Sequence, residues 1–310
     1  MHRITNIFSL MLLLLFSIKS IAQTDEDKPR RRDYKSRKGF HTGVYTGAYF
    51  ANKSTAGIYD GYGFDPGGNK NNFAGSFMNQ SINYYYGGKT GLADQIAPAL
   101  GVGIGQWHFD QTDMPLKMKY NPGILVGIHM MYGFTQKNAL IFNASGTRLT
   151  LNGSFTIVLD TASIGPKQPG HQDLKACSIT GAEQRMLFQI GYRRILGEDE
   201  VFNFFIEGGA ALNMTKLVGN QITINNLQIN LASYYSYPNY FGFREKYLSG
   251  VGLGAFAGFG LNLTANPKCN LQLIYNSFYE KIKIGIDPKL KFQHSIGLRI
   301  YYVIAGNRKS

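Results

Sequence analysis

The chain has 310 residues, 44% of them hydrophobic and only 16% charged, where a globular domain carries about a quarter. It holds 37 Gly, 20 Tyr and 21 Phe beside two Cys and one Trp, and its net charge is +13. So few charges exclude an extended, solvated polar chain. The aromatic and glycine content argues against a helical bundle, because aromatics suit pleated surfaces and Gly relieves crowding between strands.

Residues 1–22 read as a cleaved signal peptide. His2 and Arg3 precede the apolar run Ile7 to Ile18, and Ser20-Ile21-Ala22 places small residues where a signal peptidase cuts. The run is too short to be a spanning helix, which needs about 20 residues. No Cys follows the junction, so a lipoprotein is not expected. Cleavage after Ala22 removes Arg3 and Lys19 and no acid. The remaining basic balance would suggest nucleic acid in a cytoplasmic protein. An exported chain meets lipid phosphates instead, so outer-membrane lipid is the expected partner and nucleic acid is not.

Residues 23–38, QTDEDKPRRRDYKSRK, form a charged periplasmic linker with too few apolar groups to order itself. The functional alternative is contact of Arg30, Arg31, Arg32, Lys35, Arg37 and Lys38 with inner-leaflet phosphates, at about 1 kcal/mol per basic residue. No later stretch is apolar over 18 residues, so no spanning helix is readable. Barrel strands, however, alternate and give a weak hydropathy signal.

From residue 39 onward, period-2 alternation recurs. Met186, Phe188, Ile190 and Tyr192 oppose Arg185, Gln189, Gly191 and Arg193. Phe202, Phe204 and Ile206 oppose Asn203 and Glu207, and Val251 to Leu263 alternates apolar residues with a face dominated by glycine. Strands are predicted at about 39–51, 122–134, 139–157, 182–195, 201–216, 249–263, 269–284 and 290–304. Their connections alternate: loops 52–121, 158–181 and 217–248 are long, whereas Thr135–Asn138, Leu196–Glu200 and Thr264–Lys268 are tight turns; the last connection, around Asp287-Pro288, is also tight, so three of the four connections on that side are long. A soluble sandwich has no reason to sort its loops by end. The fold expected for residues 39–310 is therefore all-β, a closed antiparallel transmembrane β-barrel of eight strands with short periplasmic turns and long extracellular loops, in the bacterial outer membrane.

Region 52–121 is too long to be structureless. It adds two strands, making ten, or forms a cap or plug; residues 72–86 read as a short helix or a strand, and 92–100 as helix up to Pro98. Tyr192, Tyr275, Tyr279, Tyr301 and Tyr302 are candidates for the aromatic girdles.

Several segments carry a resemblance. SIAQ at the signal junction, the basic linker, the Gly-aromatic strands and the last strand HSIGLRIYYVI are similar to the outer-membrane β-barrel proteins of Bacteroidota. Tyr59–Phe73 (YDGYGFDPGGNKNNF), His108–Gly127 (HFDQTDMPLKMKYNPGILVG) and Arg193–Gly209 (RRILGEDEVFNFFIEGG) resemble an uncharacterised branch of that class. The resemblance implies a range of roles in envelope assembly, secretion or uptake complexes and transfers no catalytic motif.

Arg185, Arg193, Glu207, Glu280 and Arg299 are predicted to face the lumen. There a paired polar core competes with an ion path, and an eight-stranded interior is just wide enough to be filled by side chains. Glycines 250, 252, 254, 258 and 260 would leave room for long side chains of neighbouring strands. Cys177 and Cys269, at opposite barrel ends, are expected to be free thiols. His41, His108, His129, His171 and His294 lack the spacing of a metal site, and Asp60–Asn69 lacks the order of a calcium loop, so no metal and no cofactor is expected. His108, Asp110 and Asp113 are candidates for a lipid-modifying triad without readable geometry, and the chain is expected not to be an enzyme. The aromatic loop with Tyr234, Tyr235, Tyr237, Tyr240 and Phe241 is a candidate partner-binding surface, with loop-on-loop packing as the alternative. The functional expectation is a structural or accessory subunit of an envelope complex with envelope-protein partners. A small-solute channel and a lipid-modifying outer-membrane enzyme are the rivals.

Overall fold

The computed structural model describes residues 38–65, 69–160, 173–197, 201–232, 249–266, 269–284 and 290–305. The predicted signal peptide and nearly all of the predicted linker lie outside these residues, as do Tyr234, Tyr235, Tyr237, Tyr240 and Phe241. Eight long strands make up the frame: β1 (Gly39–Phe50), β2 (Gly123–Gly133), β3 (Asn138–Leu159), β4 (Asp173–Leu196), β5 (Phe202–Ile224), β6 (Ser249–Asn266), β7 (Cys269–Lys281) and β8 (Leu290–Ala305). Each pairs antiparallel with its neighbours in sequence. β8 pairs back onto β1, from Phe40↔Ala305 to Phe50↔His294, and so closes the ring. Up to Thr147 of β3, where its pairing with β2 ends, no strand of the ring is left with an edge, which is the condition for spanning hydrocarbon, where an unpaired amide finds no partner.

Alternation decides what faces where. On β6, Val251, Leu253 and Phe259 are exposed on the outside while Phe256 and Asn262 are buried inside. Two inward glycines have a steric reason: a Cβ on Gly258 would meet the amide of Asn276 and the side chain of Glu207, and one on Gly260 would meet the ring of Phe205. Of the aromatic girdle candidates, Tyr192, Tyr279 and Tyr302 are exposed, but Tyr301 faces inward and is 4% exposed. Consecutive residues of a strand point to opposite faces, so Tyr301 and Tyr302 could not both face lipid.

The long loops are shorter than the sequence suggests. β3 runs to Leu159, β4 begins at Asp173 and β5 reaches Ile224, so most of 158–181 outside the undescribed stretch, and the start of 217–248, are strand. Residues Leu227–Asn230 then turn back to pair with Gln221–Ile224. Along these three strands the two faces exchange character. On β4 the inside carries Arg193, Gln189, Arg185 and Glu183, then Ile179 and Cys177; the outside carries Tyr192, Ile190 and Met186, then Gln184, Thr180 and Ser178. Below the exchange the charged and amide groups lie within, beside a buried apolar cluster that includes Leu125, Ile141, Leu187 and Phe205, and the outside is apolar; above it the sheet has the ordinary arrangement of a protein in water.

Region 52–121 covers that upper sheet as a cap. It contains a 3₁₀ turn, Lys53–Tyr59, a helical turn Phe77–Asn79 that runs into the π-helical segment Gln80–Tyr85, and a short helix Ile96–Leu100. The last helix starts near Pro98 rather than ending there. Pro98 occupies the first turn, where its missing N–H has no intrahelical partner to lose, and Asp94 Oδ1 accepts from the amides of Ile96 and Ala97 at 2.9 and 3.0 Å. Gly101, at φ +75°, closes the helix. The pairs Trp107–His108 and Lys119–Tyr120 extend the edge of β3 and do not enter the ring, which stays at eight. Tyr59, Met78, Ile82, Ile96 and Phe109 of the cap form one buried apolar cluster with Phe155, Ile157, Ile179, Ile222 and Ile224 of β3–β5.

Candidate functional site

The barrel interior is built from inward positions that alternate with lipid-facing ones, so each charged group inside has an apolar neighbour outside. In the lower lumen, Arg193 of β4 and Arg299 of β8 converge on Glu207 of β5. Arg193 donates to Glu207 Oε2 at 2.8 and 3.1 Å. Arg299 approaches from the other side, with Nη2 2.8 Å from Oε1 and Nη1 2.9 Å from Oε2. A carboxylate bound by two guanidinium groups is fully compensated, as a buried ion must be. The surplus positive charge is met by neutral groups: the Arg193 guanidinium lies 4.6 Å from the Phe205 ring centroid and that of Arg299 5.4 Å from the Tyr45 ring. His129 Nε2 lies 3.3 Å from Arg193 Nη2, while its Nδ1 lies 2.5 Å from Asn143 Oδ1, whose amide nitrogen donates to Gln189. That pattern fixes a neutral ring with the proton on Nδ1, because the Asn143 oxygen accepts and the Arg193 nitrogen donates.

The upper cluster links lumen to cap. Arg185 binds Glu183 Oε1, with Nε at 2.6 Å, and donates to Tyr49 and Gln293 at 3.1 and 3.3 Å. Its Nη2 reaches the cap hydroxyls of Thr55 and Tyr120 at 3.3 and 3.4 Å. Glu183 Oε2 accepts from the hydroxyls of Tyr59 and Tyr120 at 2.8 and 3.0 Å. Glu280 stands apart from the arginines and accepts from Tyr49 and Asn213 at 3.1 and 3.2 Å. The structure thus gathers Arg193, Glu207 and Arg299 into one cluster, and joins Arg185 and Glu280 through Tyr49 in a second. All five are buried. Glu183 was absent from the sequence reading. Its signal was available, since it lies two residues from Arg185 and therefore on the same face.

The triad candidates divide. His108 Nδ1 lies 2.9 Å from both carboxylate oxygens of Asp160, and its Nε2 is 3.8 Å from Asp110. The Asp160 contact raises the His108 pKa above its ordinary value, against a smaller opposing effect of burial. Asp113 is a structural group: its two oxygens accept from Thr156 Oγ1 at 2.7 Å and from the Asp110 amide at 2.9 Å. Asp60 holds Lys70 at 2.5 Å, and burial raises its carboxyl pKa against the pull of that lysine. Asp65 accepts from the amide of Asn69 at 2.7 Å, which is turn chemistry. Among the described residues no group of three or more His, Cys, Asp or Glu side chains is placed to hold a metal. Neither cysteine is in a disulfide: Cys177 is buried in β4, and Cys269 opens β7.

No family model matches the chain, and no curated protein matches it in sequence. Among solved structures it is similar to the outer membrane protein OprG from Pseudomonas aeruginosa, at 9% identity and a TM-score of 0.42, covering 87% of this chain and 98% of that one. Neisserial surface protein A is similar at 9% identity and a TM-score of 0.38, covering 86% and 98%. The attachment invasion locus protein of Yersinia pestis is similar at 9% identity and a TM-score of 0.32, again covering 86% and 98%.

Proposed function

We propose that the protein is a non-catalytic bacterial outer-membrane barrel of the Bacteroidota type, exported by its cleaved leader, that serves as a structural or accessory subunit of an envelope complex. Its capped extracellular end offers the docking surface. One observation carries this reading: the interior is occupied at two levels by buried, mutually paired side chains, and the lid above them is a folded unit with its own apolar core. Arg185 pairs with Glu183, and Arg193 and Arg299 with Glu207, while Glu280 accepts from Tyr49 and Asn213, so the charge inside is spent on internal contacts rather than on lining an aqueous path. The barrel then works through what it holds above the membrane. The resemblance of SIAQ, the basic linker and the terminal strand supports the Bacteroidota assignment.

Planar-bilayer recording of the purified protein is expected to show no stable conductance; a reproducible open channel would replace this reading with the solute-channel one. Co-purification from mild detergent, followed by mass spectrometry, is expected to return a stoichiometric envelope protein, and a chain that runs alone removes the docking role. Deletion is expected to leave lipid A and phospholipid acylation unchanged, and an altered profile would favour the enzyme.

A further inference from the structure

The level at which the outer faces of β3, β4 and β5 turn from apolar to polar is marked by charge. Below it stand Phe142 on β3, Met186 on β4 and Met214 on β5; the first polar outward residues above it are Arg148, Gln184 and Lys216. These three lie side by side in the sheet register, Arg148↔Gln184 and Gln184↔Lys216. Adjacent strands are about 4.8 Å apart, so the two cations stand roughly 10 Å from one another along the end of the lipid-facing band. The described ring strands contain four carboxylates, of which Glu183, Glu207 and Glu280 are buried inside and Asp173 sits at the far tip of β4. None of them faces this row.

Directly above the row a cleft of about 600 Å³ opens on the same three strands. Arg148, Thr150, Asn152, Thr180, Gln221 and Asn230 line it, and Ala182 and Gly219 leave it space. A protein-docking surface would be centred on aromatic anchors in an apolar core, and among the described residues no aromatic one lines this cleft. This one offers hydroxyls and amides, groups that both donate and accept, as the hydroxyls of a sugar require. We propose that the outer face of β3–β5 binds a phosphorylated glycolipid of the outer leaflet, its phosphates on Arg148 and Lys216 and its sugars in the cleft. This rests on the membrane-spanning reading of the barrel, because only that reading puts the cationic row at headgroup depth.

The test uses the full chain, purified in mild detergent and reconstituted in lipid discs. Native mass spectrometry measures retention of a phosphorylated lipid A–core glycolipid, its dephosphorylated form, phosphatidylglycerol and phosphatidylcholine. The phosphorylated glycolipid is expected to be held above all three others. Arg148→Gln with Lys216→Gln should lower its retention about 30-fold, the loss that two cations near a charged headgroup layer give. Ala182→Trp, which fills the cleft, should lower glycolipid retention and leave phosphatidylglycerol unaffected. Equal retention of phosphatidylglycerol and glycolipid, or unchanged binding in either variant, would overturn the proposal. The heat-dependent gel shift of each protein is read alongside: a wild type that never inserts sinks the barrel reading itself, whereas an inserted barrel without selective retention sinks only the glycolipid site.

Discussion

The lower and upper parts of β3–β5 belong to the same strands yet solve opposite problems. In the lower part Phe142, Ile190 and Phe204 face outward and Asn143, Gln189 and Arg193 face inward; in the upper part Ile157, Ile179 and Ile222 face inward and Thr150, Thr180 and Gln221 face outward. Backbone pairing continues from one part to the other, without a register shift between β3 and β4 and with a single one between β4 and β5. The side chains are what change. A bulge on β5, where Ala182 pairs with Gly219 and Glu183 with Leu217, sits at the exchange and re-phases the strand by one residue. What differs between the regions is therefore the medium on each face, and each region should fail in its own way.

The largest effect is expected in the lower lumen. Glu207→Gln leaves Arg193 and Arg299 facing each other with their shared counter-charge gone, and breaking a buried pair in this way costs about 3–5 kcal/mol. The midpoint of the heat-dependent gel shift should fall strongly; an unchanged midpoint would mean that water compensates the arginines. Next, the same outward mutation can be placed on both sides of the exchange. Phe188→Arg on the lipid face should cost up to about 2–4 kcal/mol, depending on its depth, and Thr180→Arg within about 0.5 kcal/mol, both read by urea unfolding from lipid vesicles. Equal costs would erase the distinction between the regions.

A smaller loss is expected in the cap core. Ile222→Val should cost about 1 kcal/mol and appear as faster proteolysis of the cap, with the barrel's gel shift unchanged. The smallest effect concerns His108. Its folded pKa is raised by Asp160, so the contact contributes most below the ordinary histidine value of about 6.5 and is lost as pH rises through the folded value. Because His108 is 40% exposed on its side chain, solvent screening keeps the contribution small. Protection factors of the amides of residues 106–110, with the intrinsic base catalysis of exchange divided out, are expected to fall with rising pH in the wild type and to lose that dependence in Asp160→Asn.

Much of the frame was legible in the sequence, since alternation and sorted connections are what a closed ring in lipid demands. Where the sequence reading fell short, one physical cause recurs. It followed the outward apolar face along β4 and β5 and stopped where that face turned polar, so Thr180 and Gln221 read as loop although the strand continues beneath them. Ile179, apolar on the opposite parity, signalled that continuation on β4; on β5 the bulge puts Ile222 inward at the same parity as the earlier outward residues, so no such signal was present. The lumen arginines and glutamates could be placed by parity alone. Their partners could not, because the meeting of Arg193 and Arg299 on Glu207 depends on barrel closure and side-chain reach. Cap contacts such as Tyr59 and Tyr120 on Glu183 lie 124 and 63 residues apart in sequence and leave no periodic trace.

The direct measurement is depth-resolved accessibility along the outside of β4. Single spin labels at positions 178, 180, 184, 188 and 190, in a chain whose Cys177 and Cys269 are replaced by Ser, would be read in vesicles against oxygen, which concentrates in hydrocarbon, and a water-soluble nickel complex. Labels at 188 and 190 should favour oxygen and those at 178 and 180 nickel, with the crossover near 184. Nickel access at 188 and 190, or a profile without a crossover, would mean that something other than hydrocarbon covers the lower strands.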